Sequence, residues 1–218
     1  MSSPSAHETV AKTTQDTDSR LKWLQDHIQF VQAFAKNPLG IGAILPSSRA
    51  LAAAITAHLQ PGAGKVLELG SGTGAFTQYM LDRGFDPADL VLVEQDPALA
   101  ARLRHRFPQS TLLQIPAQTL HLHYDTAQRD IVATVCGLPL RNMNHTIHAQ
   151  MLEATFEAMR PDGALYLFTY GLTCPVSADT LNALGLTSRL TAFVAKNLPP
   201  ACVFCISRAP DTAGGLGT

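Results

Sequence analysis

Glu68, Gly70, Gly72, Gly74 and Glu94 are the residues whose types and spacing most plainly invite chemistry. The segment Val66-Leu67-Glu68-Leu69-Gly70-Ser71-Gly72-Thr73-Gly74 is an apolar run passing into glycines, and Glu94 closes the next apolar run. Glycines there let the backbone turn sharply and let a ligand approach main-chain atoms that a Cβ would screen. A carboxylate about twenty residues after the loop can accept both ribose hydroxyls of a nucleoside. A glycine-rich loop alone is weak evidence, since many turns contain glycines. The strand before it, the helix after it and the acid beyond it make the reading specific. A second cluster, Cys136-Gly137-Leu138-Pro139-Leu140-Arg141, closes a later apolar run, at the edge where open α/β sheets bind ligands.

A frame must hold these residues in place. Strand-like runs are Lys65–Leu69, Leu90–Glu94, Thr111–Ile115, Asp130–Val135, Ala164–Thr169, Arg189–Ala195 and Ala201–Ser207. Helix-like runs are Ala75–Arg83, Pro97–Arg106, Thr146–Arg160 and the shorter Ala178–Leu184. Several strands are continuously apolar, as strands covered on both faces should be. The alternation predicts a doubly wound α/β domain over residues 61–208, with a seven-stranded, mostly parallel sheet. The last two strands are predicted to form an antiparallel hairpin at its edge.

Residues 18–60 read as an N-terminal helical segment. Over Asp18–Lys36, Leu21, Leu24, Ile28, Val31 and Ala35 make an apolar stripe flanked by Trp23, Phe30 and Phe34. Asn37-Pro38 ends it. Ser47 or Ser48 can cap a further helix in which Leu51, Ile55 and Leu59 share a face. Residues 1–17 and 209–218 read as flexible tails.

Bulk properties narrow the function. The 218 residues are 46% hydrophobic and carry 16 basic against 17 acidic side chains, net charge −1. That disfavours a broad basic surface for nucleic acid. No run approaches the ~18 apolar residues of a spanning helix. Of the cysteines, Cys202 and Cys205 have a metal-like spacing, but residues three apart on a strand point to opposite faces. No metal is expected, and reduced core thiols fit a cytoplasmic setting.

Nicotinamide binders favour G-x-G-x-x-G. Here the spacing is G-x-G-x-G with Glu68 two residues ahead, which resembles the E/D-x-G-x-G-x-G signature of class I methyltransferases. The resemblance, over roughly Pro61 to Arg208, implies S-adenosyl-L-methionine as cofactor. It implies that Glu68 helps hold the methionine portion and Glu94 the ribose. The loop residues Gly70, Ser71, Gly72, Thr73 and Gly74 would line the cofactor, with Gln95, Cys136, Ala117 and Gln118. Ile115-Pro116-Ala117-Gln118 departs from the Gly-Asp-Ala often found after the third strand.

Further segments resemble bacterial phospholipid N-methyltransferases: Lys36-Asn37-Pro38 through Gly42-Ala43-Ile44 to Pro46-Ser47-Ser48, then Gly137-Leu138-Pro139-Leu140, Thr169-Tyr170-Gly171 and Asn197-Leu198-Pro199-Pro200-Ala201. This resemblance implies successive methylation of phosphatidylethanolamine towards phosphatidylcholine by a peripheral enzyme on the inner face of a membrane. Trp23, Phe30 and Phe34 would then contact the bilayer. Gly137, Leu138 and Pro139 would meet the substrate, and Arg141 and Arg49 are candidates for its phosphate or else solvated arginines. Tyr170 would orient the amine or face its charge, or simply cap the sheet. His145 is the candidate base, with His148 near it, against a surface role for both. Two rivals stand beside this reading. An rRNA adenine dimethyltransferase relative would need the Asn and aromatic of N-x-P-Y, both missing from Gly-Leu-Pro-Leu. A non-catalytic cofactor-binding protein is the other.

Overall fold

β1 (Lys65–Leu69) forms where Leu67 and Leu69 turn to one apolar layer and Val66 to another. The computed structural model describes residues 49–197 and 199–210. Around β1 stand β2 (Leu90–Val93), β3 (Thr111–Leu113), β4 (Ile131–Cys136), β5 (Met159–Thr169), β6 (Leu186–Val194) and β7 (Ala201–Arg208). They make one seven-stranded sheet in the order β3-β2-β1-β4-β5-β7-β6. The first five strands run parallel, and β7 lies antiparallel between β5 and β6. The doubly wound architecture and the terminal hairpin are as the sequence predicts.

The helices are α1 (Arg49–Ile55), α2 (Ala75–Asp82), α3 (Pro97–Arg106), α4 (His145–Ala158) and α5 (Ala178–Ala183). Side-chain caps start three of them. Asp96 accepts from the Ala98 and Leu99 N–H groups before α3, Asn144 from Thr146 before α4, and Ser177 from Thr180 before α5. Such a cap stabilises a helix by ~1 kcal/mol. Leu51, Ile55 and Leu59 are buried with residues of α2 and α3 on one face of the sheet, while Met151, Leu152 and Phe156 of α4 cover the other. Cys202 and Cys205 fall in opposite layers, as their spacing requires.

Boundaries moved where packing overrode periodicity. α4 stops at Ala158, two residues short of the predicted end, because Met159 is already extended and pairs with Ile131. A register shift between Ile131 and Ala133 then absorbs the residues up to Ala164. β6 begins earlier than predicted, with Leu186 opposite Arg208. Trp23, Phe30, Phe34, the Ser47/Ser48 cap and the expected tail at residues 1–17 lie outside the described residues, as does 211–218 of the other tail.

Candidate active site

The glycine loop folds over the end of β2. The Gly70 and Ser71 N–H groups both donate to the Val93 carbonyl, at 2.8 and 3.1 Å. Gly70, Gly72 and Gly74 have φ of +70°, +55° and +79°, a region that costs other residues backbone strain. This curvature aims the Gly72 N–H at Glu94, whose Oε2 accepts it at 2.8 Å while Oε1 accepts from the Asp96 N–H at 2.9 Å. Each carboxylate oxygen has a second acceptor site. Glu94, 8% exposed, is therefore fixed by main chain and still able to accept two more donors. Among the described residues, a Cβ at Gly72 would meet nothing nearer than the Gly70 carbonyl at 3.9 Å, so they leave the space over the loop open. The arrangement fits a ribose bearing two hydroxyls.

Glu68 sits beneath the loop and is 1% exposed. Its Oε2 accepts from the Thr77 hydroxyl of α2 at 2.6 Å, and its Oε1 is buried without a hydrogen-bond partner among the described residues. Burial, helped by the nearby Glu94 charge and opposed by Thr77, pushes its carboxyl up to about 8. A buried acceptor left unpaired costs ~1–3 kcal/mol. An ammonium donor arriving over the loop would relieve that cost and favour the ionised acid. Thr77 is a site residue that the sequence reading missed, since nothing in the pattern of α2 separates it from other helix positions.

The end of β4 meets the loop directly. The Gly137 N–H donates to the Leu69 carbonyl at 2.8 Å, and a Cβ on Gly137 would lie 2.8 Å from the Gly70 carbonyl oxygen. Leu138 packs over Gly70, where an added Cβ would come within 2.5 Å of it. Cys136 ends β4 with its thiol buried in the core, and that burial pushes the thiol up to about 12. Ala117 is likewise a core residue, and Gln118 is half-buried beside it.

Arg141 is engaged by the neighbouring loop. Its Nε donates to Thr169 Oγ1 at 2.9 Å, and its Nη2 donates to the Thr173 carbonyl and hydroxyl at 3.1 and 3.2 Å. The guanidinium fills the space that a side chain at Gly171 would need. Thr169 Oγ1 also accepts the Gly171 N–H at 3.2 Å. Arg141 thus braces the turn after β5, a structural duty beyond the phosphate contact expected of it. The same turn carries Tyr170, whose ring meets Phe168 edge-on at 5.6 Å, as Phe168 meets Phe76 at 6.0 Å. Burial raises the Tyr170 hydroxyl above its ordinary value, and a hydrogen bond with the Asn197 side chain draws it back. A neutral phenol at pH 7 orients a partner and does not act as a base. Asn197 is buried and donates to the Pro199 carbonyl at 2.7 Å. Two of the separated motif segments, Thr169-Tyr170-Gly171 and the Asn197 turn, therefore touch.

The two histidines divide. His145 is exposed at the first turn of α4, as expected of a surface residue. His148 is buried, against the expectation, with Nε2 2.8 Å from the Leu140 carbonyl and Nδ1 without a partner among the described residues. A carbonyl only accepts, so Nε2 carries the hydrogen and His148 pins the turn at Leu138–Leu140. The rings stand edge to face, 5.7 Å apart. Arg49 lies over the Tyr79 ring of α2, 5.8 Å from its centroid.

Residues 66–163 match the family described as a methyltransferase domain. An ornithine lipid N-methyltransferase of Singulisphaera acidiphila is 26% identical over 188 residues, 84% of this chain and 96% of the relative. Among solved structures, the glycopeptide N-methyltransferase MtfA complexed with S-adenosyl-L-methionine superposes with TM-score 0.60 at 14% identity, covering 76% of this chain and 96% of that one. The Burkholderia thailandensis 1,6-didemethyltoxoflavin-N1-methyltransferase gives TM-score 0.58 at 19% identity, covering 96% and 94%.

Proposed function

We propose that this chain, which carries a class I methyltransferase domain, transfers a methyl group from S-adenosylmethionine to the amine of a membrane phospholipid. The observation that carries the cofactor half is the Glu94 carboxylate held by the Gly72 N–H at 2.8 Å, open to two further donors. The lipid half is supported by the lipid-methylating relative, which aligns over nearly its whole length. Phosphatidylethanolamine and its partly methylated forms, towards phosphatidylcholine, rest on the motif segments at Gly137–Leu140, Thr169–Gly171 and Asn197–Ala201.

When bound, S-adenosylmethionine supplies an electrophilic methyl on a sulfonium. Glu94 and the loop Gly70–Gly74 would hold the nucleoside, and Glu68 the ammonium of the methionine portion. The remaining work of the protein is alignment and proton control. An alkyl amine like that of lysine titrates near ~10, so at pH 7 about one in a thousand is neutral and nucleophilic. Tyr170 would orient that nitrogen through its hydroxyl or face its growing charge with its ring. His145, exposed close to the Leu138–Arg141 turn, would take the proton. Arg141 retains donor capacity for the lipid phosphate beyond its bonds to Thr169 and Thr173. Arg49 stands as a second, less engaged candidate.

Residues 61–208 would perform transfer, while Trp23, Phe30 and Phe34 would contact the inner membrane leaflet. Among the described residues no helix is long and apolar enough to cross a membrane. The test is expression in a host lacking phosphatidylcholine, followed by lipid extraction and mass spectrometry. Purified enzyme and labelled cofactor are then offered phosphatidylethanolamine, ornithine lipid and rRNA. Methylated phosphatidylethanolamine supports the reading. Methylated ornithine lipid alone moves the acceptor to another lipid amine, and labelled rRNA overturns it.

A further inference from the structure

We propose that the methyltransferase domain docks on the bilayer through its own acceptor-side rim, independently of the N-terminal segment. Register places this rim. Thr169 pairs with Cys202, and Cys202 with Phe193, so the ends of β5 and β6 and the start of β7 share one edge. β4 runs parallel to β5 and ends at the same edge, beside the glycine loop. Large apolar side chains stand exposed along that edge, on both faces of the sheet: Leu172 is 79% exposed, Phe193 60% and Tyr170 40%. Leu190, 53% exposed, precedes Phe193 on β6, and both pair with β7 residues of the same core layer, Phe204 and Cys202. Exposed apolar side chains of this size, gathered at one edge, mark an interaction surface.

Charge identifies the occupant. Residues 137–145, 169–177, 194–197 and 199–201 make up the rim, and their sequences contain no Asp or Glu. Their fixed charges are those of Arg141 and Lys196, although acids outnumber bases across the whole chain, 17 to 16. An apolar surface carrying only cations fits an anionic lipid interface, where each basic residue adds attraction and each inserted side chain adds burial. This inference rests on the lipid-amine reading for its purpose: an acceptor whose acyl chains stay in the bilayer brings its headgroup to a site that opens towards the leaflet. The surface itself can be tested without the reaction.

The full-length protein is mixed with vesicles of phosphatidylcholine and phosphatidylglycerol, which contain no primary-amine lipid. Leu172→Glu with Phe193→Glu should lower the vesicle-bound fraction at sub-saturating lipid by roughly tenfold, while transfer to a detergent-dispersed short-chain acceptor is retained. Because Trp23 is the sole tryptophan, Trp23→Phe with Phe193→Trp gives one reporter on the rim. Its fluorescence should shift to the blue and be quenched by brominated acyl chains. Vesicle binding without quenching of that reporter overturns the proposal, as does unchanged binding of the double glutamate variant. Loss of self-association in that variant, with vesicle binding intact, would make the rim an interface between copies and also overturn it. Quenching together with no methylation of any lipid amine upholds the docking surface and removes the functional reading instead.

Discussion

Replacing Glu68 by glutamine should alter how stability depends on pH far more than it alters the fold. Burial pushes the Glu68 carboxyl from 4.5 up to about 8, with the Glu94 charge adding to the effect and the Thr77 hydroxyl opposing it. The unfolded chain releases this proton near 4.5 and the folded chain near 8, so folding takes up a proton between those values. The stabilisation linked to neutral Glu68 is therefore complete below the unfolded value and is lost as pH rises through the folded one. At ~1.4 kcal/mol for each unit in that window, raising the pH from about 5 to about 8 removes about 3–4 kcal/mol. Glutamine keeps an oxygen to accept from Thr77 and has no proton to release. Urea unfolding followed by circular dichroism, without cofactor, should show the variant gaining about 3 kcal/mol on the parent across that range. Other titrating groups are common to both proteins and cancel in the difference. A gap between the two proteins that stays constant from pH 5 to 8 would refute the burial argument.

Other expectations concern the site. Glu94→Ala should weaken S-adenosylmethionine binding at least tenfold by calorimetry, a loss of ~1.4 kcal/mol or more. Gly72→Val should weaken it comparably, because φ of +55° strains a branched residue whose side chain would enter the open cradle. Arg141→Ala should lower unfolding free energy by ~1–2 kcal/mol through its lost bonds to Thr169 and Thr173, leaving cofactor affinity unchanged while turnover falls. Tyr170→Phe should keep most activity if the ring carries the function, whereas Tyr170→Ala should lose roughly tenfold. If the hydroxyl held by Asn197 carries it, Phe should fail nearly as badly as Ala.

The geometry around the glycine loop was legible in the sequence because its parts are local. An apolar strand, a loop of glycines and an acid closing the next strand bring Glu94 to Gly72 with little help from distant contacts. The loops after β4 and β5 were harder to read. Arg141 looked like a free cation because its partners lie 28 and 32 residues ahead, on a turn whose path only the packed sheet fixes. His148 looked like a surface residue because its bond to the Leu140 carbonyl depends on how α4 docks. The burial of Cys136 follows from its side chain turning inward at the strand's last residue. Glu68 was legible only in part. An acid in an apolar strand signalled a ligand contact, but not that one oxygen would be spent on Thr77 and the other left bare.

The contact between Gly70 and Gly137 divides the labour of the molecule. Between β1 and β4 the winding of the sheet reverses: β2 and β3 extend one way, β5 and the terminal hairpin the other. Open α/β sheets form their ligand crevice at such a reversal. Here the crevice is floored by main chain, since neither glycine tolerates a Cβ without striking Leu138 or the opposing carbonyl. The loops after β1 and β2 lie on one side of that floor, and the loops after β4 and β5 with the β6–β7 turn lie on the other. They need share only the floor. The two sets of loops can therefore vary independently, whereas the floor cannot: a methyl added at Gly137 would press on the Gly70 carbonyl, and one at Gly70 would displace Leu138.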